Sequence, residues 1–83
     1  MRRKSLLDGL RKRFSEAQLR SLAQRSVAIE DAARDALGES NAAYARMREG
    51  WSKLCVEEKL TEEERDILED EAIRKGWLAP ADD

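Results

Sequence analysis

Ser15-Glu16-Ala17-Gln18-Leu19-Arg20-Ser21-Leu22-Ala23-Gln24-Arg25-Ser26-Val27-Ala28-Ile29-Glu30-Asp31-Ala32-Ala33-Arg34-Asp35-Ala36-Leu37-Gly38 reads as one long helix, and the rest of the chain is organised around it. Ser15 followed by Gln18 is a capping-box pattern, in which the Ser oxygen accepts from an early backbone N–H while the Gln side chain reaches back. Leu19, Leu22, Ser26, Ile29, Ala33 and Ala36 then step by three and four, the spacing of a seam along one helical face. Ala23 and Leu37 widen that seam, and Gly38 supplies a left-handed stop. The helix is expected over about 15–37. Its alanines (Ala17, Ala23, Ala28, Ala32, Ala33, Ala36) let a second helix come close, so the seam suits either the chain's own helices or a second copy.

Two more helices follow. One is expected over about 41–59, with Tyr44, Met47, Trp51 and Leu54 on one face and Cys55 beside them. Gly50 interrupts it at a cost of about 1 kcal/mol relative to Ala, a place suited to the approach of another backbone beside Trp51. The next, over about 62–75, opens on Thr61-Glu62-Glu63-Glu64, a capping box whose carboxylates also suit the positive end of the helix dipole. Arg74, Lys75 and Gly76 close it, with Pro80 just beyond. Ile67, Leu68, Ala72 and Ile73 should face the core, and Trp77-Leu78 should fold back over the end.

Residues 1–14 form a basic amphipathic segment, either a short helix of its own or an extension of the long one. Leu6, Leu7, Leu10 and Phe14 share a face, with Arg3, Arg11, Lys12 and Arg13 around it. Residues 79–83 should fray. No alternating β-branched run suggests a strand. The expected fold is all-α: a small helical hairpin or three-helix bundle, with residues 15–78 as its domain.

A chain of 83 residues makes one domain and buries only about 60% of the surface it exposes when unfolded. One Cys and no His leave neither a disulfide nor a tetrahedral metal site to reinforce it. Oligomerisation is the remaining common route to buried area, so a homodimer is expected, with Leu19, Leu22, Ser26, Ile29, Ala33 and Ala36 as its seam. A lone Cys without a cystine partner fits a reducing, cytoplasmic setting. No apolar run approaches the roughly 20 residues that span a bilayer. The Arg-rich N-terminus is not a secretory signal, and its likeness to a transit peptide ends at the acidic residues that follow.

The net charge of −2 conceals an asymmetry, because residues 1–25 carry a net +6 and residues 51–83 a net −6. Such polarity points to a charged partner, or to pairing within or between chains.

An enzyme is not expected. There is no His for proton transfer at neutral pH, Cys55 lies on an apolar face without a neighbouring base, and the glycines at 9, 38, 50 and 76 form no phosphate loop. The acidic block from Glu57 to Glu71 is helical, so its carboxylates point around the axis and cannot converge on a cation as a calcium loop does. No cofactor is expected.

What remains is binding. Trp and Tyr are enriched at interaction hot spots, which makes Tyr44, Met47, Trp51 and Trp77 the candidate contacts of a small regulator, an inhibitor or adaptor acting on a protein partner. Small inhibitors of this build are often encoded by phages and mobile elements, an analogy of class only. The alternative is nucleic acid, through the basic arm Arg2, Arg3, Lys4, Arg11, Lys12 and Arg13. The same arm could also lie on an anionic membrane surface.

Two short resemblances add expectations. Ser15 to Ile29, with Leu22-Ala23 at the packing positions and Val27 after the turn, resembles the first helix and turn of a helix-turn-helix. It departs at Ser26, where that family has Gly, and at Glu30, Asp31 and Asp35, which phosphates repel. Ala45-Arg46-Met47-Arg48-Glu49-Gly50 resembles the inhibitory helix of small antitoxins that block AMP-transferring Fic proteins. That resemblance implies Glu49 as the acting residue, with Ala45 standing where the motif has Ser or Thr.

Overall fold

Both expected capping boxes form. In the computed structural model, which describes residues 2–78, Ser15 Oγ accepts from the Gln18 N–H at 3.2 Å and Gln18 Oε1 accepts from the Ser15 N–H at 2.8 Å. This capping box cuts the chain ahead of the long helix, so Arg2–Arg13 becomes a helix of its own. The order is α1 (Arg2–Arg13), α2 (Glu16–Leu37), α3 (Asn41–Glu58) and α4 (Glu62–Lys75). The bundle therefore has four helices and not three. Met1, the side chains of Arg2 and Arg3, and residues 79–83, where fraying was expected, lie outside the described residues.

The corners are set by single residues. Gly38 ends α2 at φ 70°, ψ −163°, outside the left-handed helical region expected there and open to glycine alone. Ser40 works in both directions: its hydroxyl donates to the Leu37 carbonyl at 2.9 Å and accepts from the Ala43 N–H at 3.1 Å. Lys59 takes the left-handed conformation at the end of α3, and Leu60 N–H returns to the Cys55 carbonyl at 2.9 Å. Thr61 and Glu64 close the α4 capping box, with bonds of 2.8 and 3.0 Å. Gly76 then turns the chain so that Trp77 and Leu78 pack back on the core.

The main core joins all four helices. Leu10 from α1, Leu19, Leu22 and Ala23 from α2, Leu54 and Cys55 from α3, and Leu68 and Ala72 from α4 are buried together with Leu60. A smaller cluster of Ala33, Ala43 and Met47, flanked by Trp51, holds the far end of the α2–α3 hairpin. α1 packs chiefly on α4, which explains one departure from expectation. The inward face of α4 is Ile67, Leu68, Glu71 and Ala72, while Ile73 stands 64% exposed. Glu71 takes the inner position because Arg11 of α1 meets it there at 2.7 Å. Gly50 also differs from expectation. The group beside it is the Ile29 side chain and not a backbone, and a Cβ on Gly50 would lie 2.6 Å from Ile29 Cγ2.

Three arginines of the basic segment are paired inside the chain. Arg11 pairs with Glu71, and Arg25 reaches Glu57 and Glu58 at 3.0 Å each. Arg13 lies 3.9 Å from Glu64 and donates to the Glu58 and Lys59 carbonyls, both at 3.0 Å. Those carbonyls belong to the C-terminus of α3, where a cation meets the negative end of the dipole. No helix is long and apolar enough to cross a membrane among the described residues.

Candidate functional site

Ser26 is the one polar member of the α2 seam, and it is 1% exposed. A hydroxyl in that position needs a partner. It finds Arg65, reached from α4, whose Nη1 donates to Ser26 Oγ at 3.0 Å. Arg65 is itself 94% buried. Its Nη2 donates to Asp66 at 2.7 Å, Nη1 lies 3.6 Å from Glu69, and its guanidinium plane sits 3.9 Å from the centre of the Trp51 ring. Trp51 Nε1 donates to the Ser26 carbonyl at 3.2 Å. One arginine thus ties α2, α3 and α4 around a half-buried indole, by stacking as well as by charge.

Glu30 borders this network. Burial first, then a hydrogen bond and the negative charge of Glu69, push its carboxyl up to about 7, while Arg34 and Arg65 pull it down. Glu30 therefore keeps its proton toward neutrality beside the carboxylate that α4 brings against it. Cys55 is buried, its thiol donates to the Thr61 carbonyl at 3.9 Å, and desolvation raises its pKa, the opposite of what a nucleophile requires.

The candidate contacts separate by position. Met47 is buried in the smaller cluster, Trp51 is held by Ser26 and Arg65, and Trp77 lies half-buried against the main core. Tyr44 alone is well exposed, at 55%, with the Arg48 guanidinium 6.0 Å from its ring centre. Tyr44, Arg48, Trp51 and Arg65 line one open groove of about 450 Å³ between α3 and α4, with Glu62, Asp66 and Glu69 on its α4 side.

The other sequence-derived sites are placed as follows. Leu19, Leu22, Ser26 and Ala33 of the seam are buried, Ile29 is half-buried against Gly50, and Ala36 is exposed. Most of that seam is occupied by the chain's own α3 and α4. In the basic arm, Arg11 and Arg13 are engaged on α4 and α3, Lys4 and Lys12 are exposed, and the side chains of Arg2 and Arg3 lie outside the described residues. α2 runs unbroken through Ser26, so the helix-turn-helix resemblance has no turn to match. The physical reason is that the Ser26 hydroxyl is held by Arg65, where the motif needs a glycine to bend. Glu49 is exposed on α3, beside Gly50.

Arg65 and Glu71 were not singled out from the sequence. The signal for Arg65 was Ser26, a hydroxyl in an apolar seam that asks for a donor from a facing helix. Arg65, one turn before Leu68 and two turns before Ala72 on the inward face of α4, was in place to supply it. By class the fold is a four-helix bundle with a polar clasp at its centre. No family model matches the chain, and no curated protein or solved structure matches it significantly.

Proposed function

We propose that this chain is a small non-enzymatic regulator that self-associates and binds a protein partner through the α3–α4 edge formed by Tyr44, Arg48 and Trp51. The observation that carries the reading is the exposed Tyr44 ring beside Arg48, next to an indole locked by Arg65. Rigid aromatics flanked by Arg make strong contacts because little side-chain entropy is lost when they are covered. Met47 supports that edge from beneath, and Trp77 lies half-buried against the main core.

Nucleic acid is the weaker reading for a stated reason. Arg11 and Arg13 would have to leave Glu71 and the α3 carbonyls before they could meet phosphates. The lone buried thiol of Cys55 suits a reducing, cytoplasmic setting.

The test is affinity capture by the tagged full chain from its native lysate, split into untreated and nuclease-treated halves, alongside Tyr44→Ala. The expected result is a stoichiometric protein that survives nuclease and is lost with Tyr44→Ala, while helicity is unchanged. Captured proteins that all vanish with nuclease would overturn the reading in favour of nucleic acid.

A further inference from the structure

α2 and α4 meet at the clasp through two successive turns. Ser26 and Glu30 are one turn apart on α2, and Arg65 and Glu69 are one turn apart on α4. In the first turn the Ser26 hydroxyl accepts from Arg65 Nη1 at 3.0 Å. In the second each helix presents a carboxylate, Glu30 against Glu69. Both are largely shielded from water, with side chains 17% and 21% exposed. Like charges facing each other in such a setting repel, and one proton converts the contact into a hydrogen bond.

The surrounding cations are spread too thinly to cancel that repulsion. Beside Glu30, Arg34 lies 3.7 Å away, but it is also 3.8 Å from Asp31 and 3.4 Å from Glu39. On α4, Arg65 lies 3.6 Å from Glu69, while its shortest ion pair, at 2.7 Å, is with Asp66. Two arginines thus serve five carboxylates. α3 faces Glu30 across a groove of about 240 Å³ with Tyr44, Met47 and Trp51, of which only the Tyr44 phenol is ionisable and none is a cation.

We propose that Glu30 and Glu69 form a proton-operated latch on the clasp. A protonated Glu30 holds α2 against α4. An ionised Glu30 is pushed away from Glu69, Arg65 parts from Ser26 and from the Trp51 ring, and the indole opens to water while the helices stay folded. Arg65 is drawn along because the guanidinium that stacks 3.9 Å from the Trp51 ring centre also holds Glu69, on its own helix. Burial first, and then Glu69, keep the Glu30 carboxyl at about 7, so the latch is closed below that value and opens as pH rises through it. The chain has no His, the usual source of a transition near neutral pH. Trp51 is not part of the main core around Leu10, Leu22, Leu54 and Leu68, so a local opening leaves that core intact. The latch concerns the clasp and not what the Tyr44 edge binds, so its failure leaves the proposed partner reading standing.

The experiment is fluorine NMR of the full chain carrying 5-fluorotryptophan at its two Trp positions, from pH 5 to 8, with helicity recorded alongside. Trp77→Phe assigns the two signals, or Trp77→Tyr where the Phe variant does not fold. The readout is the solvent isotope shift between H2O and D2O, which reports water at the ring and which a nearby charge alone does not move. The expected result is a Trp51 isotope shift that is small at pH 5 and grows with a midpoint near the Glu30 value of about 7, while Trp77 and helicity stay constant. Glu30→Gln, which donates to Glu69 at every pH, should hold Trp51 in its low-pH state throughout. Glu69→Gln should lower the midpoint, because it removes the charge facing Glu30. A Trp51 isotope shift that stays flat in the wild-type chain overturns the latch, as does a transition that survives Glu30→Gln or a midpoint unmoved by Glu69→Gln. A transition in which Trp77 and helicity change together with Trp51 overturns it too, since that is unfolding of the whole bundle.

Discussion

Replacing Glu30 by Gln should remove a pH dependence of stability that the Glu30–Glu69 pair builds into the bundle. Glu30 titrates near 4.5 when free and about 7 in the fold. Between those values the folded chain holds a proton that the unfolded chain has released. Stability from this group is therefore complete below 4.5 and is lost as pH rises through about 7. At about 1.4 kcal/mol per pH unit, the ceiling is about 3 kcal/mol. Solvent reaches the edge of the site, with the Glu30 side chain 17% exposed, so a realistic loss is about 1–2 kcal/mol. Gln donates to Glu69 at every pH and carries no charge. The two proteins should thus be similar near pH 5, and Glu30→Gln should be the more stable at pH 8. Urea unfolding followed by helicity and by tryptophan emission at several pH values measures the difference, provided the two probes coincide. A wild-type minus Glu30→Gln difference that stays flat from pH 5 to 8, or grows in wild type's favour, refutes the raised Glu30 value.

Gly50→Ala should destabilise, because the added methyl meets Ile29 Cγ2 at 2.6 Å and overpacking of about 1–3 kcal/mol outweighs a helix-propensity gain of about 1. In an Ile29→Ala background the same change should become neutral or stabilising, and a double-mutant cycle by thermal unfolding reads the reversal. Arg65→Ala should cost about 3–5 kcal/mol, since it strands the buried Ser26 hydroxyl and the largely buried Glu69 and uncovers Trp51. Arg65→Lys should recover only part of that, lacking the plane that stacks, and loss of Arg65 should move the Glu30 transition to higher pH.

Much of the backbone plan was legible because caps are local. Ser15/Gln18 and Thr61/Glu64 each need only a hydroxyl and a side-chain acceptor three residues on, and both boxes form as read. Where the segment ahead of Ser15 packs was not local. It depended on Leu10 entering the core against α4, a long-range contact with no periodic signature in so short a segment. The same contact misled the reading of α4. Hydrophobicity favoured Ile73 as an inner residue, but Arg11 arriving from α1 made Glu71 the better occupant of that face.

The candidate site was half legible for a related reason. Helical spacing placed Tyr44, Met47 and Trp51 on one edge of α3, yet spacing cannot say which of three neighbours a facing helix covers. α2 covers Met47, Arg65 covers Trp51, and Tyr44 is left open. Charge was ambiguous in a deeper way. A segment at +6 and another at −6 have the same composition whether they pair within one chain, between two copies, or with a stranger. Only distances separate these cases. They put Arg11, Arg13 and Arg25 against the chain's own carboxylates and carbonyls, so these three arginines brace the bundle, while Lys4 and Lys12 of the N-terminal arm stay exposed. Arg46, Arg48 and Lys53 on α3, a helix whose local sequence carries no basic run, are then among the cations without an ion pair among the described residues. Electrostatic association by this chain should accordingly respond to changes in α3 more than to changes in Arg11 or Arg13, whose loss should register first as unfolding.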